Sequence, residues 1–193
     1  MQTIQPEGPY QLGGWSIGGA IAFEMAVQLK ASGQMVSLLA LIDSYAPIQK
    51  FKGSLLMDEA MLLADWVKNL SGLSNKAFSI SAETLRLLEA QEQLNYVLEQ
   101  AKEVGLLPKE MGQKQGSSLF RVFKANSQAI ARYTPQPYLG RITFFYADES
   151  MKQNQDPSLG WASVAAGSIT TYNIPGNHYS LIENKILAQK LRT

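Results

Sequence analysis

One glycine-rich segment, set between a predicted strand and a predicted helix, most constrains how this chain can fold. Residues 10–15 (YQLGGW) predict a short strand, and the residues from about Gly18 to Ala31 predict a helix that stops at Gly33. Between them runs Gly14-Trp15-Ser16-Ile17-Gly18, a G-x-S-x-G pattern. A strand that passes directly into a helix in this way is typical of layered α/β proteins.

The same alternation of strands and helices returns later in the chain. The apolar runs VSLLALI at 36–42 and RITFFYA at 141–147 predict strands of the buried kind. The last part of the chain predicts a helix at 158–166, a strand at 168–174 and a closing helix at 180–191. Strands separated by helical connections indicate a mostly parallel sheet with right-handed crossovers.

The block from about 48 to 133 has a different pattern, with helical periodicity and almost no strand signal. Its apolar residues form three stripes, at 55–70, 85–101 and 119–133. The sequence SAET predicts a helix start with Ser81 as its N-cap. We interpret the block as a helical insertion between two strands of the sheet.

Composition excludes several kinds of chemistry. The 193 residues include no cysteine and one histidine, which excludes disulfides, thiolate metal sites, cysteine nucleophiles and multi-histidine metal sites. With 17 basic and 16 acidic residues, the net charge of +1 does not favour nucleic acid or an acidic membrane surface. No apolar run is long enough to span a membrane, and the polar start lacks a signal-peptide pattern. A cytoplasmic location is therefore expected.

Ser16 is the candidate nucleophile of the G-x-S-x-G pattern. The turn must hold the serine in a strained conformation so that its hydroxyl projects from the sheet edge. Glycine is expected to be required at positions 14 and 18, because a side chain at Gly14 or Gly18 would collide across the turn. The backbone N–H of Ile17, at the helix start, is a candidate oxyanion-hole donor. The alternative is a glycine-rich turn that only lets a helix pack closely on a strand.

A serine nucleophile needs a base, and His178 is the only histidine available. It lies in a Gly-Asn-His loop after a predicted strand, where parallel sheets place their sites. The alternative is a surface histidine without a task. The carboxylate that orients the base could be Asp43 or Asp148, each at the end of a predicted strand. Both fit the order Ser…Asp…His, and spacing does not choose between them.

Four segments together resemble the thioesterase domains that end nonribosomal peptide and polyketide synthetases. The segments are GGWSIGGAIAFEMAVQL, LLALIDSYAP, YTPQPYLGRITFFYADE and IPGNHYSLIE. Such domains are α/β-hydrolases with a helical lid, so the resemblance implies one domain over 1–193 with its lid at about 48–133. In that family the nucleophile matches Ser16 and the base matches His178. The orienting acid matches Asp43, which leaves Asp148 as second choice.

The resemblance implies a serine thioesterase that acts on a chain carried by the phosphopantetheine of a carrier protein. Ser16 would accept the acyl or peptidyl chain, and hydrolysis or cyclisation would then release it. The expected partners are the acyl or peptidyl carrier domain and its thioester substrate, and no bound cofactor is expected. A small-molecule carboxylesterase on the same fold is the rival enzyme, since fold alone does not separate the two.

The chain departs from the family at its start. Several strands normally precede the nucleophile strand, and a loop among them usually supplies a second oxyanion N–H. Here about nine residues come first, so we expect an N-terminally truncated fold. The favoured explanation is a piece of a longer synthetase. The others are a sheet edge completed by a second copy in a dimer, and a pseudo-enzyme. The rival from another class is therefore a non-catalytic or weakly active fragment that binds a carrier protein or self-associates.

Overall fold

The computed structural model of the protein describes residues 3–47, 57–152 and 156–192. The chain divides into two compact units. The first consists of Met1–Lys50 with Tyr133–Thr193, and the second is Phe51–Arg132. No helix in these described ranges is long and apolar enough to cross a membrane.

The first unit is built on a four-stranded sheet in which every neighbouring pair is parallel. Its strands, in spatial order, are β1 (Tyr10–Trp15), β2 (Val36–Ile42), β3 (Ile142–Ala147) and β4 (Ile169–Ile174). Helix α1 (Ile17–Ala31) connects β1 to β2. The predicted α/β fold is confirmed, and the strand–helix–strand crossover begins at the glycine-rich turn. Because the strands are parallel, their carboxyl ends meet at one edge of the sheet.

Apolar side chains on the strands and on α1 hold the first unit together. Phe23 of α1 is fully buried against the rings of Trp161 and Tyr138, at 4.7 and 5.7 Å between centroids. A second buried group comprises Ala40, Phe145, Ala147, Ile174, Leu181 and Leu187. In β2, Leu39, Ala40 and Leu41 are almost completely buried, but Val36 and Leu38 are partly exposed. Burial on both faces, predicted for the whole run, therefore holds for residues 39–41.

The second unit is helical within its described residues. Its helices are α2 (Glu59–Ser74), α3 (Ala82–Arg86), α4 (Ala90–Glu103) and α5 (Gln113–Arg132). Ser81 caps α3 as predicted, because its hydroxyl accepts a hydrogen bond from the Thr84 N–H. The core includes Leu63, Trp66, Val67, Leu85, Val97, Leu98 and Phe120. Leu55 and Leu56, with which the first predicted stripe begins, lie outside the described residues.

Two predicted helices in the last part of the chain are wrong in extent. Residues 158–166 contain a 3₁₀ turn, Trp161–Ser163, because the Asp156 carboxylate accepts the Ser158 and Gly160 N–H groups and closes a tight turn. The closing helix is divided into a 3₁₀ turn and α7 (Lys185–Lys190). The division falls at Asn184, which has an extended backbone and accepts the Ile186 N–H as a new N-cap. A short helix, α6 (Asp148–Met151), follows β3 directly.

Candidate active site

Ser16 occupies the sharp turn between β1 and α1. Its φ of 55° and ψ of −128° place it in a region that residues with side chains rarely adopt. Two backbone hydrogen bonds hold it there. Its N–H donates to the Ile42 carbonyl at 3.0 Å, and its carbonyl accepts from the Gly19 N–H at 3.1 Å. The Ser16 hydroxyl does not cap α1, so the helix start does not occupy this oxygen.

Of the two glycines predicted to be required by the Ser16 turn, Gly14 is required and Gly18 is not. A Cβ at Gly14 would lie 2.0 Å from the Gly18 carbonyl oxygen, so the turn requires glycine at this position, as predicted. The same prediction for Gly18 is wrong, because a Cβ there would have no heavy atom from another described part of the chain within 4 Å. The second tight position is Gly19, where a Cβ would lie 2.4 Å from the Ser44 hydroxyl oxygen.

Ile17, the candidate oxyanion-hole donor, is the first residue of α1. Backbone N–H groups in the first turn of a helix have no partner within the helix, and the helix dipole makes this end partly positive. The first turn of α1 also carries no acidic side chain. This helix end is therefore a suitable environment for an oxygen that gains negative charge beside Ser16.

Asp43 follows the end of β2 and is fully buried. Ile42 pairs with Trp15 of β1 and with Phe145 of β3, so the residue after it lies at the carboxyl edge of both neighbouring strands. Asp43 has a φ of 41°, and its N–H donates to the Phe145 carbonyl at 2.6 Å. This left-handed turn makes Asp43 a second strained non-glycine residue at the same edge as Ser16.

Within the described part of the chain, three donors surround the Asp43 carboxylate. The Ala147 N–H donates to Oδ1 at 2.9 Å, and the Ser150 hydroxyl donates to Oδ2 at 2.8 Å. The third group is His178 Nδ1, which lies 2.7 Å from Oδ2. A buried carboxylate is expensive unless hydrogen bonds replace the water it has lost, and this set supplies them.

The hydrogen-bond pattern indicates which nitrogen of His178 carries the proton. Nδ1 faces a carboxylate oxygen, which accepts, so we assign the proton to Nδ1. Nε2 then keeps its lone pair and can accept a proton. The side chain is 26% exposed, compared with 0% for Asp43. The imidazole thus joins a buried carboxylate to the accessible part of the site.

Local hydrogen bonds shape the loop that carries His178. The Asn177 side-chain oxygen accepts the N–H groups of Tyr179 and Ser180, at 2.9 and 3.0 Å. The Ser180 hydroxyl in return accepts the Asn177 N–H at 2.9 Å. Asp148, the second candidate acid, accepts the Gly176 N–H at 2.8 Å. Asp148 therefore braces the loop, and the carboxylate at the imidazole is that of Asp43.

Sequence reasoning missed three groups at this site. Ser150 and the Ala147 N–H both donate to Asp43, and Trp15 contacts His178. A usable signal existed for Ser150, because the segment Asp148-Glu-Ser follows a strand adjacent to β2 at the same sheet edge. Trp15 directly precedes the candidate nucleophile, but its partner His178 is 163 residues away along the chain, so the sequence pattern does not reveal their contact.

Comparisons with known proteins identify relatives among synthases that are much longer than this chain. The chain is 27% identical over 208 residues to chondramide synthase cmdD from Chondromyces crocatus, which covers 100% of this chain and 5% of that protein. It is 32% identical over 142 residues to the polyketide synthase PksR from Bacillus subtilis strain 168, covering 71% of this chain and 6% of that protein. The chain thus spans a small part of the curated relatives that it matches.

Solved structures give the same picture. The crystal structure of holo-AB3403, a four-domain nonribosomal peptide synthetase bound to AMP and glycine, superposes with a TM-score of 0.87 at 34% identity. The superposition covers 99% of this chain and 15% of that one. The surfactin thioesterase domain SrfTE superposes with a TM-score of 0.61 at 19% identity, covering 100% of this chain and 71% of that domain, and so supports the fold.

The family model that matches the chain is "Thioesterase domain", and the match covers residues 1–193. It agrees with the α/β fold and with the relatives among nonribosomal peptide and polyketide synthases. The match leaves no part of the sequence outside it, and on this basis the chain belongs to the thioesterase domain family.

Proposed function

We propose that this chain is a serine thioesterase that releases acyl or peptidyl chains from a carrier protein, with Ser16, His178 and Asp43 as its catalytic triad. The observation that carries the proposal is the 2.7 Å contact between His178 Nδ1 and buried Asp43, at the same sheet edge as the strained Ser16 turn. A strained nucleophile, a base and a buried orienting acid are the three elements that such chemistry needs.

In the first half of the reaction, Ser16 Oγ attacks the thioester carbonyl while His178 Nε2 takes the hydroxyl proton. The tetrahedral intermediate places its negative oxygen near the start of α1, where the Ile17 N–H can donate to it. The intermediate collapses by breaking the carbon–sulfur bond. The departing thiolate receives the proton from His178, which leaves an acyl ester on Ser16 and a free phosphopantetheine thiol.

In the second half, His178 acts as a base again. Water, or an amine or hydroxyl of the bound chain, loses its proton to Nε2 and attacks the Ser16 ester. Collapse returns the proton to Ser16 and releases a free acid or a ring. No electrons are gained or lost in either half, so the proposed reaction requires no redox cofactor. The partners are a carrier domain and its thioester, in line with the similarity to a four-domain nonribosomal peptide synthetase.

The helical second unit is proposed as the lid of the domain. It has its own buried core, and it also carries exposed apolar side chains on its helices, among them Tyr96, Leu119 and Val122. In a thioesterase a helical lid admits the substrate and limits the entry of water. Its proposed role is therefore to select the chain that reaches Ser16, while the first unit carries out the chemistry.

Hydrolysis of matched substrates tests the proposal. An acyl-pantetheine thioester and an oxygen ester of the same acyl chain are compared on the wild-type chain and on Ser16→Ala. We expect a clear preference for the thioester and a loss of activity in the variant. A clear preference for the oxygen ester would instead favour a small-molecule carboxylesterase. No hydrolysis of either substrate by folded protein would support the non-catalytic alternative.

A further inference from the structure

We propose that Trp15, the residue before the nucleophile, is a positioning residue for the imidazole of His178. The inference rests on the proposed function, because it concerns how the base is held for its reaction with Ser16. It assigns a task to a side chain that the G-x-S-x-G pattern leaves unspecified.

Trp15 contacts His178 in two ways. Its indole Nε1–H donates a hydrogen bond to the His178 carbonyl at 2.9 Å. Its ring also stacks on the imidazole, with 4.9 Å between centroids and 28° between planes. One side chain therefore holds both the backbone and the ring of the same residue.

Trp15 is itself well anchored. As the last residue of β1 it pairs with Ile42 of β2, and its side chain packs against the buried group that includes Phe145 and Leu181. Ser16 follows it directly in the chain. The same short segment thus carries the nucleophile and supports the base, which come from distant parts of the sequence.

The stacking of Trp15 on the imidazole restricts a tilt of the ring that the hydrogen bond to Asp43 does not prevent. The Asp43 hydrogen bond fixes the Nδ1 end of the ring, but the ring can still tilt about that bond. A stacked indole limits this tilt and so determines where Nε2 points. Nε2 must point at the Ser16 hydroxyl, and errors of about 1 Å in such alignments can cost roughly a hundredfold in rate.

The stacking also changes in strength during the reaction. When His178 takes the serine proton, its ring becomes positively charged, and tryptophan is the aromatic side chain that best attracts a cation to its face. The attraction is therefore greatest in the charged states on the reaction path. An interaction of this kind raises kcat and leaves KM little changed. Tyr179 also touches the imidazole, but it does so edge-on at 83°, which does not limit the tilt in the same way.

Two substitutions separate the contacts. Trp15→Phe keeps an aromatic face and removes the N–H donor, so we expect kcat to fall about fivefold. Trp15→Leu removes both contacts, so we expect kcat to fall about thirtyfold or more at similar KM. Trp66→Phe, in the core of the helical unit, is the matched control for loss of an indole and should keep the wild-type kcat.

A spectroscopic readout distinguishes positioning from simple packing. Because His178 is the only histidine in the sequence, a single set of imidazole NMR resonances reports on it. In Trp15→Leu we expect the Nδ1–H signal to broaden through exchange with water, and the ring protons to move as the indole ring current disappears. Trp66→Phe should leave these resonances unchanged.

The outcomes are distinct from those that test the proposed function. If wild-type protein hydrolyses no thioester, the proposed function fails, while the NMR experiment still tests whether Trp15 holds the ring. The contrary outcome is a Trp15→Leu protein that has a lower thermal unfolding midpoint but, at temperatures where it is folded, keeps the wild-type kcat and a sharp Nδ1–H signal. Trp15 would then be a packing residue, and the inference would be overturned.

Discussion

Asp43 and Asp148 follow the ends of neighbouring parallel strands, yet their carboxylates have different partners. Asp43 is fully buried and lies at His178 Nδ1, whereas Asp148 accepts a backbone N–H from the loop that carries His178. In the proposed mechanism, the first carboxylate orients the base and balances its charge. The Asp148 carboxylate supports the loop through its hydrogen bond with the Gly176 N–H.

Separate asparagine substitutions at the two positions test these roles. Asp43→Asn removes the charge and presents an amide to Nδ1, so we expect kcat to fall by about two to four orders of magnitude. Asp148→Asn keeps an oxygen that can accept the Gly176 N–H, so we expect a change of about threefold or less. Steady-state hydrolysis of an acyl-pantetheine thioester measures both. Equal losses, or a larger loss for Asp148→Asn, would contradict the assignment.

At the residue scale, the sequence was informative where chemistry restricts the choice. Ser16 and His178 could be named as candidates because a serine in a strand–turn–helix pattern needs a base, and the sequence contains one histidine. The choice between Asp43 and Asp148 depends on a left-handed turn at Asp43, which spacing along the chain does not reveal. Donors such as Ser150 are also hard to foresee, because they depend on contacts far apart in sequence.

The two glycines that flank Ser16 in the turn from β1 into α1 differ in how much space a Cβ would have. Gly14 faces backbone atoms that cannot move away, whereas Gly18 faces open space among the described residues. The two positions therefore form a matched pair within one motif.

We expect Gly14→Ala to destabilise the protein by about 3 kcal/mol or more, because the added methyl group overlaps the Gly18 carbonyl. Gly18→Ala should change the free energy of unfolding by no more than about 1 kcal/mol, since alanine is favoured over glycine in helices. Urea unfolding of the two variants measures the difference. Similar free energies of unfolding for both variants would show that the turn is not held as described.

A contact between Tyr133 and α1 predicts a dependence of stability on alkaline pH. The Tyr133 hydroxyl donates to the Glu24 carboxylate. Burial raises the pKa of Tyr133 above its usual value, and the hydrogen bond and negative charge of Glu24 raise it further. A pKa that is higher in the folded state stabilises the protein below the unfolded value of about 10, and this stability is lost as the pH rises further.

Comparison with Tyr133→Phe isolates this effect from the other tyrosines. We expect the wild-type advantage in free energy of unfolding over the variant to be constant near pH 8 and to shrink above about pH 10. Glu24→Gln, which keeps an acceptor and removes the charge, should weaken the pH dependence. Urea unfolding at pH 8 and pH 10.5 measures the free energy of unfolding of the wild type and of both variants. A wild-type advantage that stays constant with pH would refute the account of this contact.

At the element scale, sequence patterns gave the strands and the long helices but not the short ones. Strands β2 and β3 are apolar runs whose interiors are buried, and period and composition identify such runs. For residues 158–166 and 180–191 the prediction of continuous helices is wrong. Their actual form depends on the side chains of Asp156 and Asn184, which end or restart helical turns through single hydrogen bonds.

At the scale of the whole molecule, the fold follows from the order of the elements. A strand, a glycine-rich turn, a helix and further parallel strands predict an α/β sheet whose carboxyl edge carries the site. The structure confirms the sheet, and the family match extends over the whole chain. The helical insertion could be predicted as helical from its periodicity. Its proposed role as a lid comes from the resemblance and not from that pattern.

The central claim, that Ser16 is a nucleophile activated by His178, is tested most directly by a fluorophosphonate probe and mass spectrometry of the labelled peptides. We predict a single adduct, on Ser16, that forms on the wild-type chain and is absent from Ser16→Ala. We also predict that it forms far more slowly on His178→Ala. Folded wild-type protein that takes up no label, or that is labelled equally well after Ser16→Ala, would contradict the account.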